Sequence, residues 1–355
     1  MIRRALPFVI VTTWLVVSGR PVAGQATVDL NELQEKAIKA AVQKVAPSVV
    51  QIETSGGTEV LSAGPGGVLR KGVGPTTGLV VSADGYIISS AFNFANKPSF
   101  IIIAIVGQKE RLPAKIVATD QTRMLTLLKV EAKGLPVPSP TPKKEIKVGQ
   151  WSVAVGRTLD PQNLDRALSV SVGITSAVNR IWGKAIQTDA KVSPANYGGP
   201  LIDVYGRVQG VLVPASPRGE EETAGVEWYD SGIGFAIPLE DINAALPRLK
   251  EGKDLKRGLL GITLQSPDMF GASPVIATVA PESAAARADI RAGDIITEID
   301  GKQVINQAQI LHILGAKYEG DAVSVKIRRG KEERNFANLK LTGVLTASPQ
   351  AFLGI

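Results

Sequence analysis

The sequence predicts a mainly β protein in two parts, an all-β barrel or sandwich followed by a smaller unit that mixes strands with short helices. Three observations carry this. From Ser48 onward, short β-branched runs alternate with Gly, Asp and Asn turns, the pattern of many short strands and little helix. The polar run Lys250-Glu251-Gly252-Lys253-Asp254 then interrupts the chain as a linker does. A length of 355 residues, 44% of them hydrophobic, is more than one small core accommodates.

The first expected element is an export signal over residues 1–24. Arg3 and Arg4 give a basic start, Ala5 to Val17 an apolar run, and Pro21-Val22-Ala23-Gly24 a small-residue cleavage site. The apolar run is short for a bilayer span, which favours cleavage near Gly24 over the alternative, a retained membrane anchor. A lead-in helix follows over 27–45, where Leu33, Ile38, Ala41 and Val45 recur at helical spacing and Pro47 stops the helix.

The first β unit is expected over 46–247. Its strands are read at Val49 to Glu53, Gly78 to Ser82, Tyr86 to Ser89, Phe100 to Val106, Ala114 to Ala118, Leu125 to Val130 and Trp151 to Val155, then at Ser169 to Ser176, Ala185 to Thr188, Pro200 to Ile202, Val208 to Val213 and Gly234 to Ile237. A charged, helix-compatible stretch from Leu239 leads into a linker over 248–257. The second unit, 258–342, opens on a strand from Leu259 to Gln265 and has a small-residue helix around Ser283 to Arg287. The turn Arg291-Ala292-Gly293-Asp294 precedes a strand from Ile295 to Ile299. Asp300-Gly301 signals a hairpin, Gln307 to Leu314 a helix, and Ala322 to Arg328 the closing strand. Residues 343–355 are read as a mostly uncharged, flexible tail.

Composition removes several kinds of function. The chain has no Cys, so it uses no disulfide, thiol catalysis or lipid attachment through sulfur. Losing Arg3, Arg4 and Arg20 with the signal lowers the formal charge from +7 to +4, spread along the chain. Nucleic acid, which needs a concentrated basic face, is not an expected partner. With one His and no Walker-type loop, no metal and no cofactor is expected. The run Glu220-Glu221-Glu222, between Ser216 and Ser231, is read as a solvated loop, with a calcium or partner contact as the alternative.

Several long segments then carry a resemblance. "GLVVSADGYIISS", "AKIVATDQTRMLTLLKV", "VGQWSVAVG", "IQTDAKVSPANYGGPLIDVYGRVQGV" and "GIGFAIP" resemble, in order, the trypsin-like domain of HtrA/DegP-type exported serine proteases. "RGLLGITL" with "APESAAARADIRAGDIITEIDGKQV" resembles a bacterial PDZ domain. The resemblance sharpens the fold to a trypsin-like double β-barrel followed by a smaller α+β PDZ domain. It also implies a location outside the cytoplasm, periplasmic in a bacterium.

The same resemblance assigns catalytic positions, and all three are occupied by other residues. The position of the family's His falls on Phe92, that of its Asp on Met124, and that of its nucleophile on Tyr197 within Ala195-Asn196-Tyr197-Gly198-Gly199-Pro200-Leu201. A hydroxyl attacks a carbonyl only when a base takes its proton and an acid holds that base's tautomer. Phe92 has no ring nitrogen, Met124 holds no imidazole, and a phenol of pKa about 10 is a weak nucleophile without a base. Ala195 stands where the family's oxyanion loop has Gly, so strained dihedrals and a distorted hole are expected. Two rings and a thioether are also groups that pack together, so Phe92, Met124 and Tyr197 are read as an apolar plug.

In the second unit the resemblance implies capture of an extended peptide C-terminus. The peptide adds as a strand, and the amides of a Gly-containing loop receive its carboxylate. Gly258, Leu259, Leu260, Gly261 and Ile262 correspond to that loop, and Leu260 and Ile262 with Ile310, Leu311 and Leu314 to a pocket for the last side chain. These aliphatics also suit a plain domain core, and the sequence leaves both roles open for Leu311 and Leu314. The sole histidine, His312, is read as an exposed helix residue.

The leading reading is therefore a catalytically inactive HtrA-like protein, a pseudoprotease. It would bind exported proteins or peptides through the PDZ groove as adaptor, regulator or chaperone-like factor. The alternatives are a working serine endopeptidase and a scaffolding subunit that forms homo-oligomers or assembles with active relatives.

Overall fold

The structure, a computed structural model, describes residues 29–57, 61–62, 68–69, 76–157, 168–216, 219–223 and 231–343. The expected signal, 1–24, lies outside these residues, and so does all of the expected tail except Gly343.

Helix α1 is Leu30–Val45. The Asp29 carboxylate caps it by accepting the Asn31 amide at 2.9 Å. Its Ala41 and Val45 are buried, whereas Leu30 and Leu33 stay exposed. The chain then builds two closed six-stranded barrels. The first holds β1 (Val49–Ser55), β2 (Thr76–Ser82), β3 (Tyr86–Ser90), β4 (Phe100–Ala104), β5 (Leu112–Asp120) and β6 (Leu125–Val130) in the order β1-β2-β3-β6-β5-β4. The second holds β7 (Trp151–Gly156), β8 (Ser169–Asn179), β9 (Ala185–Thr188), β10 (Pro200–Ile202), β11 (Val208–Val213) and β12 (Gly234–Pro238) in the order β8-β9-β12-β11-β10-β7.

The two barrel interiors are separate cores. Val50, Ile52, Val80, Ile87, Ile103 and Leu128 fill the first. Ala154, Ile186, Leu201, Leu212 and Ala236 fill the second, together with Phe92 and Tyr197. A third cluster, with Val45, Leu127, Val153, Val211, Ile237 and Tyr318 among its members, joins the barrels to the helices and to the second domain. The acidic run expected in a loop lies instead in a short strand, Gly219–Thr223, paired with Ala215–Ser216. Main-chain pairing defines that strand.

Helix α2, Leu239–Lys250, runs through Pro247. Burial of Ile242, Ala245 and Leu249 offsets the backbone bond that the proline removes. The expected linker thus begins in the last turn of a helix. The remainder is tied down: Leu255 is buried, donates its amide to the Thr119 carbonyl and accepts that of Gln121, each at 2.9 Å.

The second domain contains β13 (Ile262–Leu264), β14 (Ile276–Val279), α3 (Ala284–Arg287), β15 (Ile295–Ile299), β16 (Lys302–Gln303), α4 (Gln307–Leu314), β17 (Ala322–Arg329) and β18 (Glu332–Lys340). Among the described residues, strands β13 and β14 form a two-stranded sheet, and the others form a sheet in the order β16-β15-β17-β18. Strand β18 was not expected from the sequence: its residues are almost all exposed, so no alternation marks it, and only pairing with β17 makes it a strand. The strand read from Leu259 shortens to β13 because Leu259 bridges to Thr342 instead, with bonds of 2.7 and 3.0 Å.

Candidate functional site

Strand β3 delivers Phe92 into a short 3-10 turn, Ala91–Phe94, in which the Ser90 hydroxyl accepts the Phe92 amide at 3.3 Å. Tyr197 arrives from the opposite side, on the loop that leads into β10. The two rings meet edge to face, with centroids 5.8 Å apart and an interplanar angle of 82°. This is a preferred aromatic geometry, worth about 0.5–1.5 kcal/mol beyond burial. Phe92 is 8% exposed and Tyr197 2%, so both side chains are core, packed among Ile146, Ile186, Val192 and Leu212.

The main chain around these rings is held from the first barrel. Asn93, fully buried, donates its side-chain amide to the Tyr197 carbonyl at 2.9 Å and to the Ser89 hydroxyl at 3.0 Å, and Ser89 donates to the Thr77 carbonyl at 2.7 Å. The Thr77 hydroxyl accepts the Arg157 amide at 2.9 Å and donates to the Ala195 carbonyl at 3.2 Å. Asn93 and Thr77 were not anticipated. The sequence signal for Asn93 was a polar residue wedged between two phenylalanines.

Two expectations need correction. Phe92 and Tyr197 touch, but Met124 is not part of their cluster; it is half-buried against the large interdomain cluster. The reason is its backbone: φ is +56°, a left-handed conformation at the end of the β5–β6 turn. Its carbonyl nevertheless accepts the Ala91 amide at 2.8 Å, so the main chain of Met124 lies beside the Phe92 turn. The strain expected at Ala195 is also absent, since Ala195 is not among the residues with positive φ. It sits in a turn closed by the Asn196 amide on the Ser193 carbonyl at 3.0 Å. The left-handed residue of the loop is Gly198, φ +89°, where a Cβ would come within 2.2 Å of the Ser89 hydroxyl.

In the second domain all eight expected groove residues line one cavity of about 660 Å3. Among the described residues, strand β13 bonds only to β14, which leaves its other edge open toward α4. Within the loop the amides are not equivalent: Gly258 donates to the Lys317 carbonyl at 3.0 Å and Leu259 to that of Thr342. Leu260 and Gly261 make no such bond among the described residues, so their amides are the ones available to a carboxylate. Leu260, Ile310 and Leu314 also belong to the domain core, whereas Leu311 is half-buried and outside it. His312 is exposed, as expected.

The domains meet at a buried polar junction. The Tyr318 phenol donates to the Asp120 carboxylate, and Arg123 and Arg248 lie over the Tyr318 ring at 4.7 and 4.8 Å. Arg123 also donates to the Ala316 carbonyl at 3.2 Å, and Arg248 pairs with Asp321 at 2.8 Å. Burial raises the Asp120 pKa against the opposing pull of Arg123, and burial followed by the Asp120 charge raises that of Tyr318. Among the described residues, no group of three or more His, Cys, Asp or Glu side chains is arranged to hold a metal ion.

Fold and groove together define a two-domain protein, a trypsin-like double barrel joined to a PDZ domain. Comparison with known proteins agrees: the trypsin-like peptidase domain family matches residues 76–211 and the PDZ domain family residues 258–341. In sequence and fold the chain is similar to HtrA/DegP-type proteins. It is 32% identical over 273 residues to a probable periplasmic serine endoprotease of Halomonas elongata described as DegP-like, covering 73% of this chain and 54% of that protein. It is 30% identical to a protein of the same description from Pseudomonas fluorescens, with the same shares covered. The chain thus spans about half the length of the curated relatives it matches. Among solved structures, the serine endoprotease from Yersinia pestis superposes with a TM-score of 0.61 at 25% identity, over 86% of this chain and 98% of that one. The HtrA-type protease AlgW with a decapeptide superposes at 0.64 and 23% identity, over 88% and 99%, a likeness of fold.

Proposed function

We propose that this chain is a catalytically inactive HtrA-type protein that works outside the cytoplasm by holding peptide C-termini or unfolded segments in its PDZ groove. The observation that carries the reading is the edge-to-face contact of Phe92 with Tyr197, two buried rings at the positions that the sequence aligns with a base and a nucleophile. A phenol packed in a core presents no attacking oxygen to a substrate carbonyl. The chain's one imidazole, His312, is on α4 of the other domain.

The binding half of the proposal rests on the open edge of β13, the available amides of Leu260 and Gly261, and the apolar cavity beside α4. The periplasm is the compartment named for the relatives from Halomonas elongata and Pseudomonas fluorescens, and the same location is proposed here. Assembly with further copies or with an active relative is a partner reading for which Phe100, Ile102 and Ile116, exposed on the first barrel, offer apolar surface.

The test combines unfolded casein as substrate with a serine-directed phosphonate as label, followed by titration of a peptide with a free apolar C-terminus. No cleavage, no labelling and saturable binding are expected. Turnover of casein, or labelling at Ser193 beside the loop, overturns the inactive reading and restores the endopeptidase alternative.

A further inference from the structure

Helix α4 has two cavities, one on each side. The peptide groove takes Ile310, Leu311 and Leu314. The other side of the helix, with Ala308, Gln309, His312 and Ile313, faces the second barrel across a cleft of about 760 Å3. The barrel contributes the turn Asn179–Trp182, and the second domain adds Met269 and Phe270. The volume lies within the ordinary range for small-ligand sites, about 300–1,000 Å3.

The cleft is built rather than accidental. Asn179, Ile181 and Trp182 all hold positive φ, at 56°, 49° and 55°, a conformation that Asn tolerates but that β-branched Ile181 and bulky Trp182 adopt rarely. The loop carrying Phe270 is fixed from three directions. Asp268 accepts the Phe270 and Gly271 amides at 3.1 and 2.9 Å, Asn306 donates to the Phe270 carbonyl at 2.9 Å, and Ala308 donates to that of Met269 at 3.0 Å. Phe270 is nevertheless 72% exposed. Its ring adds apolar surface to the wall of the cleft.

Charge then selects the occupant. Among the described residues, the lining contains Arg180, Lys302 and His312 and no acidic residue. Arg180 and Lys302 are exposed and make no ion pair among the described residues. The walls are a turn, a helix, a loop and the two-residue strand β16, none of which offers a ladder long enough for an added peptide strand. We infer that this interdomain cleft binds a small anionic amphiphile, a carboxylate with an aliphatic body. Its chain lies against Trp182, Phe270 and Ile313, and its carboxylate lies between Arg180 and Lys302.

Titration of the full chain with decanoate, followed by tryptophan fluorescence, tests this, with uncharged decanol as control. Saturable binding is expected, with the signal lost in Trp182→Phe. Removal of two exposed charge contacts in the Arg180→Ala, Lys302→Ala double variant should weaken decanoate about tenfold and leave decanol unchanged. A C-terminal peptide, read separately by its own label, should not displace decanoate. Binding unaltered in the double variant, decanol as tight as decanoate, or displacement by the C-terminal peptide each overturns the site. So does failure of decanoate to bind while an acidic aromatic peptide does, which would make the cleft a protein-docking surface. The decanoate and decanol arms depend neither on peptidase activity nor on the peptide groove being functional.

Discussion

The phenol of Tyr318 donates to the carboxylate of Asp120 across 198 positions of chain, at the place where the first barrel meets the second domain. Asp120 is 1% exposed, and its other oxygen accepts the Arg123 amide at 3.0 Å. Replacing Tyr318 by Phe keeps the ring under Arg123 and Arg248 but takes one donor from a buried carboxylate. A loss of about 1–3 kcal/mol is expected on urea unfolding. A change of a few tenths would mean that water replaces the phenol and that the junction is looser than its packing implies.

The same carboxyl makes stability depend on pH. Its pKa is raised above the ordinary 3.8 by burial, with Arg123 opposing. A carboxyl that holds its proton more tightly when folded contributes stability that is full below the unfolded pKa and is lost as pH rises through the folded one. Asp120→Asn keeps an acceptor for Tyr318 and cannot titrate. The wild type should therefore gain stability relative to this variant as pH falls from about 7 toward about 4, read from urea midpoints at each pH. The opposite slope would mean that the Arg123 charge outweighs burial.

Phe92 and Tyr197 should behave as one packing unit. Truncation of either to Ala is expected to cost about 3–5 kcal/mol, because a large buried ring leaves a cavity. The double variant should fall short of additivity by about 0.5–1.5 kcal/mol. Restoring Phe92→His, Met124→Asp and Tyr197→Ser together should give at best weak hydrolysis of casein, because the left-handed Met124 packs its side chain away from the other two. Strong hydrolysis would show that position 124 swings back once the rings are gone.

How much of this was legible depends on whether a feature is local. Most barrel strands are short, almost wholly buried runs of β-branched and aliphatic residues with turns between them, so short windows sufficed for most of β1 to β12. The Phe92–Tyr197 contact was foreseen because the flanking Gly198-Gly199-Pro200 fixes the loop's register. Met124 failed because its direction is set by a dihedral angle, which no spacing encodes. Strand β18 failed because exposed polar residues carry no periodicity. The Asp120–Tyr318 junction and the cleft at Trp182 and Phe270 depend on how two domains dock, and nothing near either residue in the chain announces its partner.

Leu311 and Leu314 lie three positions apart on α4 and were indistinguishable in the sequence, yet they should separate cleanly in experiment. Both line the groove, but Leu314 is 7% exposed and sits in the core with Ile276, Ile296 and Val325, whereas Leu311 is half-buried and outside that core. Leu314→Ala therefore opens a cavity and should cost about 2–5 kcal/mol of domain stability. Leu311→Ala removes surface that only a bound peptide would cover. It should leave the melting temperature nearly unchanged while weakening an apolar C-terminal peptide by about tenfold, the worth of one partly buried aliphatic side chain. Paired thermal melts and peptide titrations on the two variants read both effects. Equal loss of stability in the two would return Leu311 to the core, and unchanged peptide affinity in Leu311→Ala would place the peptide's last side chain elsewhere in the groove.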